Sequence, residues 1–213
     1  MDGNGRWAKK RGKIRTFGHS EGAKKVIEIT KEASDMGIKY LTLYAFSTEN
    51  WKREKSEIDF LMKLLSKFLK REFKTLQENN IKFRVIGDMS KLSRQLQIVI
   101  ANTIEKTKSN DGLTQILAIN YGSRDEIIRT IKKIGNKDFT EENINKALDT
   151  HDFPDVDLLL RTGGEKRLSN FLLWQSAYAE LFFTDTLWPD FSISEFRSIL
   201  EDFKKRTRRF GGI

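Results

Sequence analysis

The chain has 213 residues, of which 38% are hydrophobic and 32% are charged, a length that favours one domain or at most two small ones. The absence of cysteine excludes a disulfide framework and thiolate chemistry and fits a reducing cytosol. The net charge of +9 favours anionic partners, whether phosphorylated metabolites, nucleic acid or acidic lipid, although a solvated lysine-rich surface explains it equally well.

Strand-like and helix-like segments alternate along the chain. Helices are predicted at residues 19–36, 56–79, 88–109, 123–134, 140–148, from about 170, and from 192 or 194 onward. Strands are predicted at residues 40–46, 82–86, 113–119, 157–160 and 181–183. Apolar strands separated by helices predict an open, mostly parallel twisted α/β sheet flanked by helices. No apolar run reaches the roughly 20 residues of a membrane span, and we expect no secretory signal.

Several polar residues are predicted to begin or end these helices. The predicted N-caps are Ser56, Asp88 or Ser90, Thr140, and Ser192 or Ser194. Gly37 is the predicted stop of the first helix, since glycine readily adopts the left-handed conformation found after helix ends.

The predicted helix at residues 56–79 is apolar around an unusually large part of its girth. Its core-facing stripe consists of Ile58, Leu61, Leu65, Phe68, Leu69 and Leu76. The residues that widen this stripe are Phe60, Met62, Leu64 and Phe73. Such a helix has a second apolar neighbour besides the sheet. A dimer contact or deep burial explains the pattern as well as the wall of a hydrophobic tunnel does.

The first nineteen residues combine one carboxylate with glycines, arginines and a histidine. The residues concerned are Asp2, Gly3, Gly5, Arg6, Arg15 and His19. A diphosphate held with a divalent cation needs a carboxylate for the metal, close backbone N–H groups, and guanidinium groups that fork onto phosphate oxygens. The alternative for Asp2 is to cap a helix that begins near Gly5.

Two further polar clusters, residues 47–53 and 161–170, follow predicted strands. Ligands of an open α/β sheet bind beyond the carboxyl ends of its strands. Each cluster combines arginine with small hydroxyl, amide or glycine residues, which suits phosphate oxygens. The sequence lacks nucleotide-binding glycine motifs and the aspartate-rich element of trans-prenyl synthases, and two histidines without cysteine are too few for a zinc site. Asp2 is therefore the leading candidate metal ligand.

Long motifs in a fixed order carry a resemblance to a known family. They occupy residues 1–8, 18–19, 44–51, 120–124, 157–162, 167–175, 179–181 and 208–211. The chain closely resembles the cis-prenyltransferases, and among them the bacterial undecaprenyl diphosphate synthases, over nearly its whole length. The resemblance implies a single domain over residues 1–213, a hydrophobic tunnel and a homodimer. The family's strand leading into the first motif is missing, and we expect it upstream of Met1.

The resemblance also implies a reaction. Farnesyl diphosphate would accept successive isopentenyl diphosphate units in cis, with Mg²⁺ as cofactor, to give undecaprenyl diphosphate, the lipid carrier precursor for cell-wall synthesis. The enzyme would be cytoplasmic, with transient contact at the inner face of the membrane for product release, and would not bind nucleic acid. The alternatives are another product length or primer, or a non-catalytic polyprenyl-binding partner subunit. A basic nucleic-acid binder would instead interleave aromatic and basic residues on one face.

Roles at matching positions follow from the resemblance. Asp2 would hold magnesium against the allylic diphosphate, and Glu180 would be a metal ligand contributed by the neighbouring subunit. The residues implied to grip or surround that diphosphate are Gly3, Asn4, Gly5, Arg6, Trp7, Arg15 and His19. The residues implied to bind isopentenyl diphosphate are Arg161, Arg167, Leu168 and Ser169. The motif Arg209-Phe210-Gly211 would reach toward the partner's site.

A mobile loop along the substrates is also implied. Asn50 would take part in proton removal, through a relay because an amide is a poor base. The loop residues implied to lie along the substrates are Ser47, Thr48, Glu49, Trp51 and Arg53. The alternative to a substrate role for Trp7 and Trp51 is ordinary packing. The alternative to a metal role for Glu180 is that of a surface carboxylate. Gly163 replaces a more usual serine and is expected to loosen the loop before Arg167, which Thr162 and Asn170 would support.

Overall fold

The computed structural model describes residues 1–209, in which helices flank parallel β-sheets. The helices are α1 (Asn4–Lys10), α2 (Arg15–Asp35), α3 (Lys55–Glu78), α4 (Arg94–Thr107), α5 (Ser123–Ile134), α6 (Glu141–Ala147) and α7 (Ile193–Lys204). The strands are β1 (Tyr40–Ser47), β2 (Lys82–Ile86), β3 (Thr114–Tyr121), β4 (Leu158–Arg161) and β5 (Glu180–Phe183). Every strand pairing among these residues is parallel, which confirms the predicted fold class.

The chain divides into two compact units. The first contains residues 1–29 and the segment from 155 onward, and the second contains residues 30–154. Assignment of the whole chain to one domain stays a prediction. No helix within residues 1–209 is both long and apolar enough to cross a bilayer.

A three-stranded sheet in the order β1-β3-β2 forms the centre of the second unit. The central strand β3 is buried at every residue after Thr114, as expected for a strand covered on both faces. Thr114 aligns with Tyr40 of β1 and with Lys82 of β2, so the carboxyl ends of all three strands meet at one edge. The segments that follow β1 and β3 therefore begin at the same edge of this sheet.

Helix α3 contacts α4 and β2 in this unit. Its buried apolar residues are Ile58, Leu69 and Leu76. The remaining apolar residues of the predicted wide stripe are only half-buried, and they are Phe60, Leu61, Met62, Leu64, Leu65, Phe68 and Phe73. The helix thus keeps an apolar face that its own unit covers incompletely, and both sequence interpretations of that face stay open.

A buried polar network ties α5 to the carboxyl ends of β2 and β3. Glu126 is fully buried and accepts hydrogen bonds from the Tyr121 hydroxyl at 2.6 Å and from the Asp149 N–H at 2.9 Å. Arg129 donates two hydrogen bonds to the Asp149 carboxylate, at 2.8 and 2.6 Å, and Asp149 also accepts from the Gly87 N–H. Partial burial raises the pKa of Asp149, but the bonds and charge of Arg129 outweigh it, so the pKa lies below its ordinary value.

Replacing Asp149 by asparagine is expected to lower the free energy of unfolding by about 2 kcal/mol at pH 7, since Arg129 would lose the more buried of its two carboxylate partners. Because folding lowers the Asp149 pKa, this stabilisation is present above the unfolded value and disappears as the pH falls through the folded value. The difference between wild type and variant should therefore shrink in acid. Urea denaturation at pH 7 and pH 3 measures it. Asp125→Asn is the control, because Asp125 also pairs with Arg129 but is more exposed than Asp149 (43% against 12%).

The first unit contains the parallel pair β4–β5, in which Leu158 aligns with Glu180 and Arg161 with Phe183. Helix α2 lies so close to α1 that a Cβ atom on Gly18 would stand 2.0 Å from the carbonyl oxygen of Asn4. The Gly18-His19 motif therefore has a packing reason, since only glycine permits this approach.

The structure also corrects several predicted boundaries. The helix predicted from about Asn170 is wrong, because Ser169, Asn170 and Leu172 have φ values of 50°, 62° and 46°, which an α-helix cannot contain. Ser56 is not an N-cap, since α3 begins at Lys55. Other differences are a start of α2 at Arg15, a short 3₁₀ turn after Asp88, and a cap of α4 by Ser93. Gly37, Thr140 and Ser192 are confirmed as helix-end residues.

Candidate active site

Three hydrogen bonds within the first unit hold the main chain of Asp2. The Thr162 hydroxyl accepts from the Asp2 N–H and donates to the Asp2 carbonyl oxygen, both at 3.0 Å. The same carbonyl oxygen accepts from the Trp188 N–H at 2.9 Å. Gly3 follows with a φ of 107°, which favours glycine, and precedes α1 as its N-cap. Asp2 therefore does not cap α1, and none of these bonds involves its carboxylate.

The Asp2 carboxylate lies between two guanidinium groups. Arg161 donates to Oδ2 at 2.9 Å, and Nη2 of Arg6 lies 3.3 Å from Oδ1. Partial burial raises the pKa of the Asp2 carboxyl, but the hydrogen bond and charge of Arg161 and the charge of Arg6 more than offset it. The net pKa lies below the ordinary value, so this half-exposed carboxylate is ionised at neutral pH.

Arg161 connects Asp2 to the loop after β4. Its Nη1 donates to the Arg167 carbonyl oxygen at 2.5 Å and to the Ser169 hydroxyl at 2.6 Å. Ser169 has a φ of 50°, a conformation that aims its side chain back at β4. The structure thus brings Asp2 together with four of the predicted phosphate ligands, which are Arg6, Arg161, Arg167 and Ser169. Leu168 lies half-buried in the same loop.

Sequence reasoning missed Glu165, which lies among these arginines. Its carboxylate pairs with Arg167 at 2.5 Å and lies 3.9 Å from Arg6. The position was visible as an acidic residue within a basic loop, but nothing in the sequence indicated which arginines it faces.

That Gly163 loosens the loop stays a prediction. Gly163 has a φ of 92°, and its N–H donates to the Thr186 carbonyl oxygen at 2.8 Å. A Cβ atom there would lie 2.7 Å from Nη2 of Arg6 and 3.1 Å from the Asp2 carbonyl oxygen. Glycine therefore suits both the left-handed backbone at this position and the close approach of the loop to Asp2 and Arg6.

Close packing also places Arg15 against the first turn of α1. A Cβ atom on Gly5 would lie 3.1 Å from the guanidinium carbon of Arg15, so Gly5 admits that side chain. The Asn4 side chain instead packs on Gly22, and its buried Oδ1 has no hydrogen-bond partner among the described residues. His19 is half-buried on α2.

Trp7 lies at the edge of this arrangement. Its indole N–H donates to Oδ1 of Asp190 at 2.6 Å, and its ring stacks on Phe17 with centroids 6.0 Å apart. The guanidinium of Arg11 lies 4.1 Å from the Trp7 ring centroid and pairs with Asp190. These contacts fit a packing role as well as a substrate contact.

The other predicted loop follows β1 in the second unit and forms a 3₁₀ turn (Thr48–Lys52), which includes Glu49. Oδ1 of Asn50 accepts from the Ser47 N–H at 3.2 Å, so the amide is anchored at the end of β1. The Trp51 indole N–H donates to Oδ1 of Asn120 at 2.7 Å. Arg53 pairs with Glu57 at 3.0 Å on the first turn of α3.

Asn120 is a second residue whose importance sequence reasoning missed. It is 1% exposed and has a φ of 47°, which asparagine tolerates better than most residues. Besides accepting from Trp51, it donates from Nδ2 to the Asp88 carbonyl oxygen at 2.6 Å. Its place at the head of the 120–124 motif was the available signal.

Glu180 is not brought to Asp2 in this chain. It begins β5 opposite Leu158, whereas Arg161 ends β4, so the two positions are about 10 Å apart along the strands. Its carboxylate pairs with Arg206. No group of three or more His, Cys, Asp or Glu side chains suited to a metal occurs within residues 1–209. Phe210 and Gly211, implied to reach a partner, lie outside the described residues.

Comparison with known proteins finds relatives that match over nearly their whole length. An isoprenyl transferase of Wolinella succinogenes is 57% identical, with 100% of this chain and 94% of that protein covered. One from Treponema denticola is 55% identical, with 99% and 94% covered.

Two solved structures are also similar. Lavandulyl diphosphate synthase from Lavandula x intermedia, in complex with dimethylallyl diphosphate, matches with a TM-score of 0.94 and 38% identity over 100% of this chain and 95% of that one. A "probable undecaprenyl diphosphate synthase" from Campylobacter jejuni matches with a TM-score of 0.84 and 45% identity over 91% and 93%. The family model described as "Putative undecaprenyl diphosphate synthase" matches residues 1–211. The chain therefore belongs to the undecaprenyl diphosphate synthase family of prenyl transferases.

Proposed function

We propose that this enzyme elongates farnesyl diphosphate with isopentenyl diphosphate units in cis to undecaprenyl diphosphate. The observation that carries the proposal is the ionised Asp2 carboxylate held between Arg6 and Arg161 beside a loop of further phosphate ligands. A carboxylate that faces two cations is a weak base, because its pKa is lowered. It suits a metal-assisted diphosphate site instead.

Magnesium fits the residues that the first unit supplies. Mg²⁺ is commonly bound by one or two carboxylates together with substrate phosphates and retained waters. Asp2 offers one ionised, half-exposed carboxylate and would hold the ion, with Glu180 of a neighbouring subunit as a further ligand in a homodimer. The chemistry that Mg²⁺ supplies when bound is neutralisation of charge on the departing diphosphate.

The arginines would bind the diphosphates. Arg6 lies in the first turn of α1, Arg15 packs against that turn at Gly5, and both would grip the allylic diphosphate together with the backbone of Gly3 and Gly5. Arg161, Arg167 and Ser169 would bind isopentenyl diphosphate. Preorganised cations at the position where charge develops lower the barrier without reorganisation during the reaction.

Asn50 would assist proton removal from the condensing unit. Its Oδ1 already accepts from the Ser47 N–H, which leaves the amide oriented but weakly basic. A relay is therefore needed, and Asn50 would position its first member. The 3₁₀ turn that carries Asn50 is held through Trp51 and Asn120.

The incompletely covered apolar face of α3 would line the tunnel for the growing chain. Each buried methylene contributes about 0.8 kcal/mol, which would keep intermediates bound until the chain fills the available length. The product would leave by transient contact with the cytoplasmic face of the membrane.

Incubation with farnesyl diphosphate, labelled isopentenyl diphosphate and Mg²⁺ tests the proposal. The expected result is an extractable polyprenyl diphosphate of eleven-unit length by thin-layer sizing. A product of another length would change the proposed product from undecaprenyl diphosphate but would still support chain elongation. Absence of any polyprenyl product from folded protein would refute elongation and favour the non-catalytic partner subunit.

The substitution Asn120→Gly is expected to lower kcat about tenfold, because the Trp51 indole loses its acceptor and the Asn50 turn loses its anchor. Glycine adopts the φ of 47° at no conformational cost in the folded state, so the substitution isolates the side-chain bonds. Steady-state kinetics should show a change in kcat with little change in KM.

Asn80→Gly is the matched control for this experiment. Asn80 also has a left-handed backbone, with φ 54°, and its side chain makes two hydrogen bonds to Asp111. Its side chain is exposed, so the variant should lose less stability than Asn120→Gly, and it should retain full kcat. Equal kcat losses in the two variants would mean that Asn120 has no specific role in holding the Asn50 turn.

A further inference from the structure

A basic turn, residues 9–15, connects α1 to α2 and is exposed at every position. Its basic residues are Lys9, Lys10, Arg11, Lys13 and Arg15. Five positive charges in seven residues make this one of the most strongly charged stretches of the chain. No acidic residue interrupts it.

The backbone of this turn has a defined conformation. The Lys13 N–H donates to the Ala8 carbonyl oxygen at 2.9 Å, and the Gly12 N–H donates to the Lys9 carbonyl oxygen at 3.1 Å. Gly12 has a φ of 65°. This hydrogen-bond pair and the left-handed glycine constitute a Schellman motif, which ends α1 and holds the following residue, Ile14, outside the helix.

The three lysines of the turn have no acidic partner among residues 1–209. Within residues 1–209, Lys9, Lys10 and Lys13 form no ion pair, whereas Arg11 pairs with Asp190. The basic segment at the end of α7, residues 204–208, differs from the turn. Its side chains pair with Glu201, Asp202, Glu180 and Asp157. The basic turn therefore presents uncompensated positive charge, whereas the other segment is largely neutralised.

An apolar side chain stands at the end of this charged surface. Ile14 is 75% exposed, the highest exposure among the exposed large hydrophobic residues of the described chain. Phe17, one helical turn further, is also exposed, and Nζ of Lys13 lies 6.0 Å from its ring centroid. An isoleucine so exposed contributes little to the core and is available to an external partner.

We propose that the basic turn docks on an anionic phospholipid bilayer, with Lys9, Lys10 and Lys13 at the headgroups and Ile14 and Phe17 inserted at the interface. Charge complementarity identifies the partner, because basic clusters near a surface are attracted to anionic lipids. The apolar tip favours a bilayer over nucleic acid, since a bilayer offers an apolar interior below its anionic surface.

The value of such docking to the enzyme rests on the proposed function. Arg15, at the end of the turn, lies against the first turn of α1, where the allylic diphosphate would bind. Docking of the adjacent turn would therefore hold the diphosphate end of a polyprenyl product near the lipid headgroups.

Co-sedimentation with vesicles of phosphatidylcholine containing about 30% of the anionic lipid phosphatidylglycerol tests this surface. The double substitution Lys9→Glu/Lys10→Glu and the single substitution Ile14→Ser should each weaken binding at least about tenfold. The matched controls are Lys204→Glu/Lys205→Glu on α7 and Ile98→Ser, an isoleucine 48% exposed on α4. These controls should bind as wild type does.

Prenyl transfer in detergent solution separates this proposal from the proposed function. Product formation by the turn variants together with lost vesicle binding supports docking through the turn. Vesicle binding unchanged in those variants, or equal wild-type binding to pure phosphatidylcholine, would overturn it. If the wild type does not bind vesicles but binds a DNA duplex in a salt-dependent way, and these substitutions abolish that binding, the surface belongs to nucleic acid. Absence of product from wild type would refute the function alone.

Discussion

Replacement of Asp2 by alanine is expected to lower kcat roughly a thousandfold while the KM for the allylic diphosphate stays level or falls. The carboxylate is the ionised group that would hold Mg²⁺, so its loss removes stabilisation of the departing diphosphate. In the wild type, the Asp2 carboxylate also neutralises Arg6 and Arg161, whose Nη2 atoms lie 3.3 and 2.9 Å from its oxygens. Without it these guanidinium groups are free to bind phosphate more tightly. Steady-state kinetics over a range of Mg²⁺ concentrations measures both parameters.

The Asp2 variant should remain folded, because the bonds to Thr162 and Trp188 use only its main chain. A thermal melt close to that of wild type checks this. Glu21→Ala, which removes an ion-paired carboxylate on α2, is the matched control and should keep full activity. A kcat within tenfold of wild type for Asp2→Ala would show that Asp2 is not the metal ligand.

The strands were predictable because each is a short apolar run closed by polar residues. The predicted strand at 82–86 coincides with β2, and the fully buried β3 was visible as an apolar segment without alternation. The segment after Asn170 was mispredicted because its apolar residues imitate a helix. The left-handed residues Ser169, Asn170 and Leu172 stop that helix, and only their bonds and packing in the folded chain require such a conformation.

Sequence patterns could nominate residues for the candidate site but could not predict their geometry. Arginines after strands indicated phosphate ligands, since strand ends of a parallel sheet gather at one edge. That Arg161 connects Asp2 with Ser169 depends on the register of β4 and on the backbone of Ser169, which a linear pattern does not contain. Gly163 shows the same limit, because its close approach to Arg6 and to the Asp2 carbonyl oxygen joins segments that lie far apart in sequence.

Replacement of Arg161 by lysine is expected to lower kcat/KM for isopentenyl diphosphate about a hundredfold. The guanidinium holds Asp2, the Arg167 carbonyl oxygen and Ser169 at once, at 2.9, 2.5 and 2.6 Å. A lysine ammonium keeps the charge but lacks the planar fork that spans these partners. Losing two hydrogen bonds of charged groups at about 1.5 kcal/mol each corresponds to this factor. Initial rates at varied isopentenyl diphosphate measure it, and the KM for this substrate should account for most of the loss.

Arg129→Lys is the control that separates the general effect of losing a guanidinium group from an effect on the candidate active site. Arg129 also donates two bonds to an aspartate, Asp149, but it belongs to the polar network of the second unit. Its replacement should lower the melting temperature and leave kcat/KM of the folded enzyme unchanged. If Arg161→Lys instead matches wild-type kinetics, positive charge alone suffices at position 161, and the loop after β4 does not depend on the fork. A loss confined to the allylic substrate would transfer Arg161 from the isopentenyl diphosphate to the Asp2 end of the site.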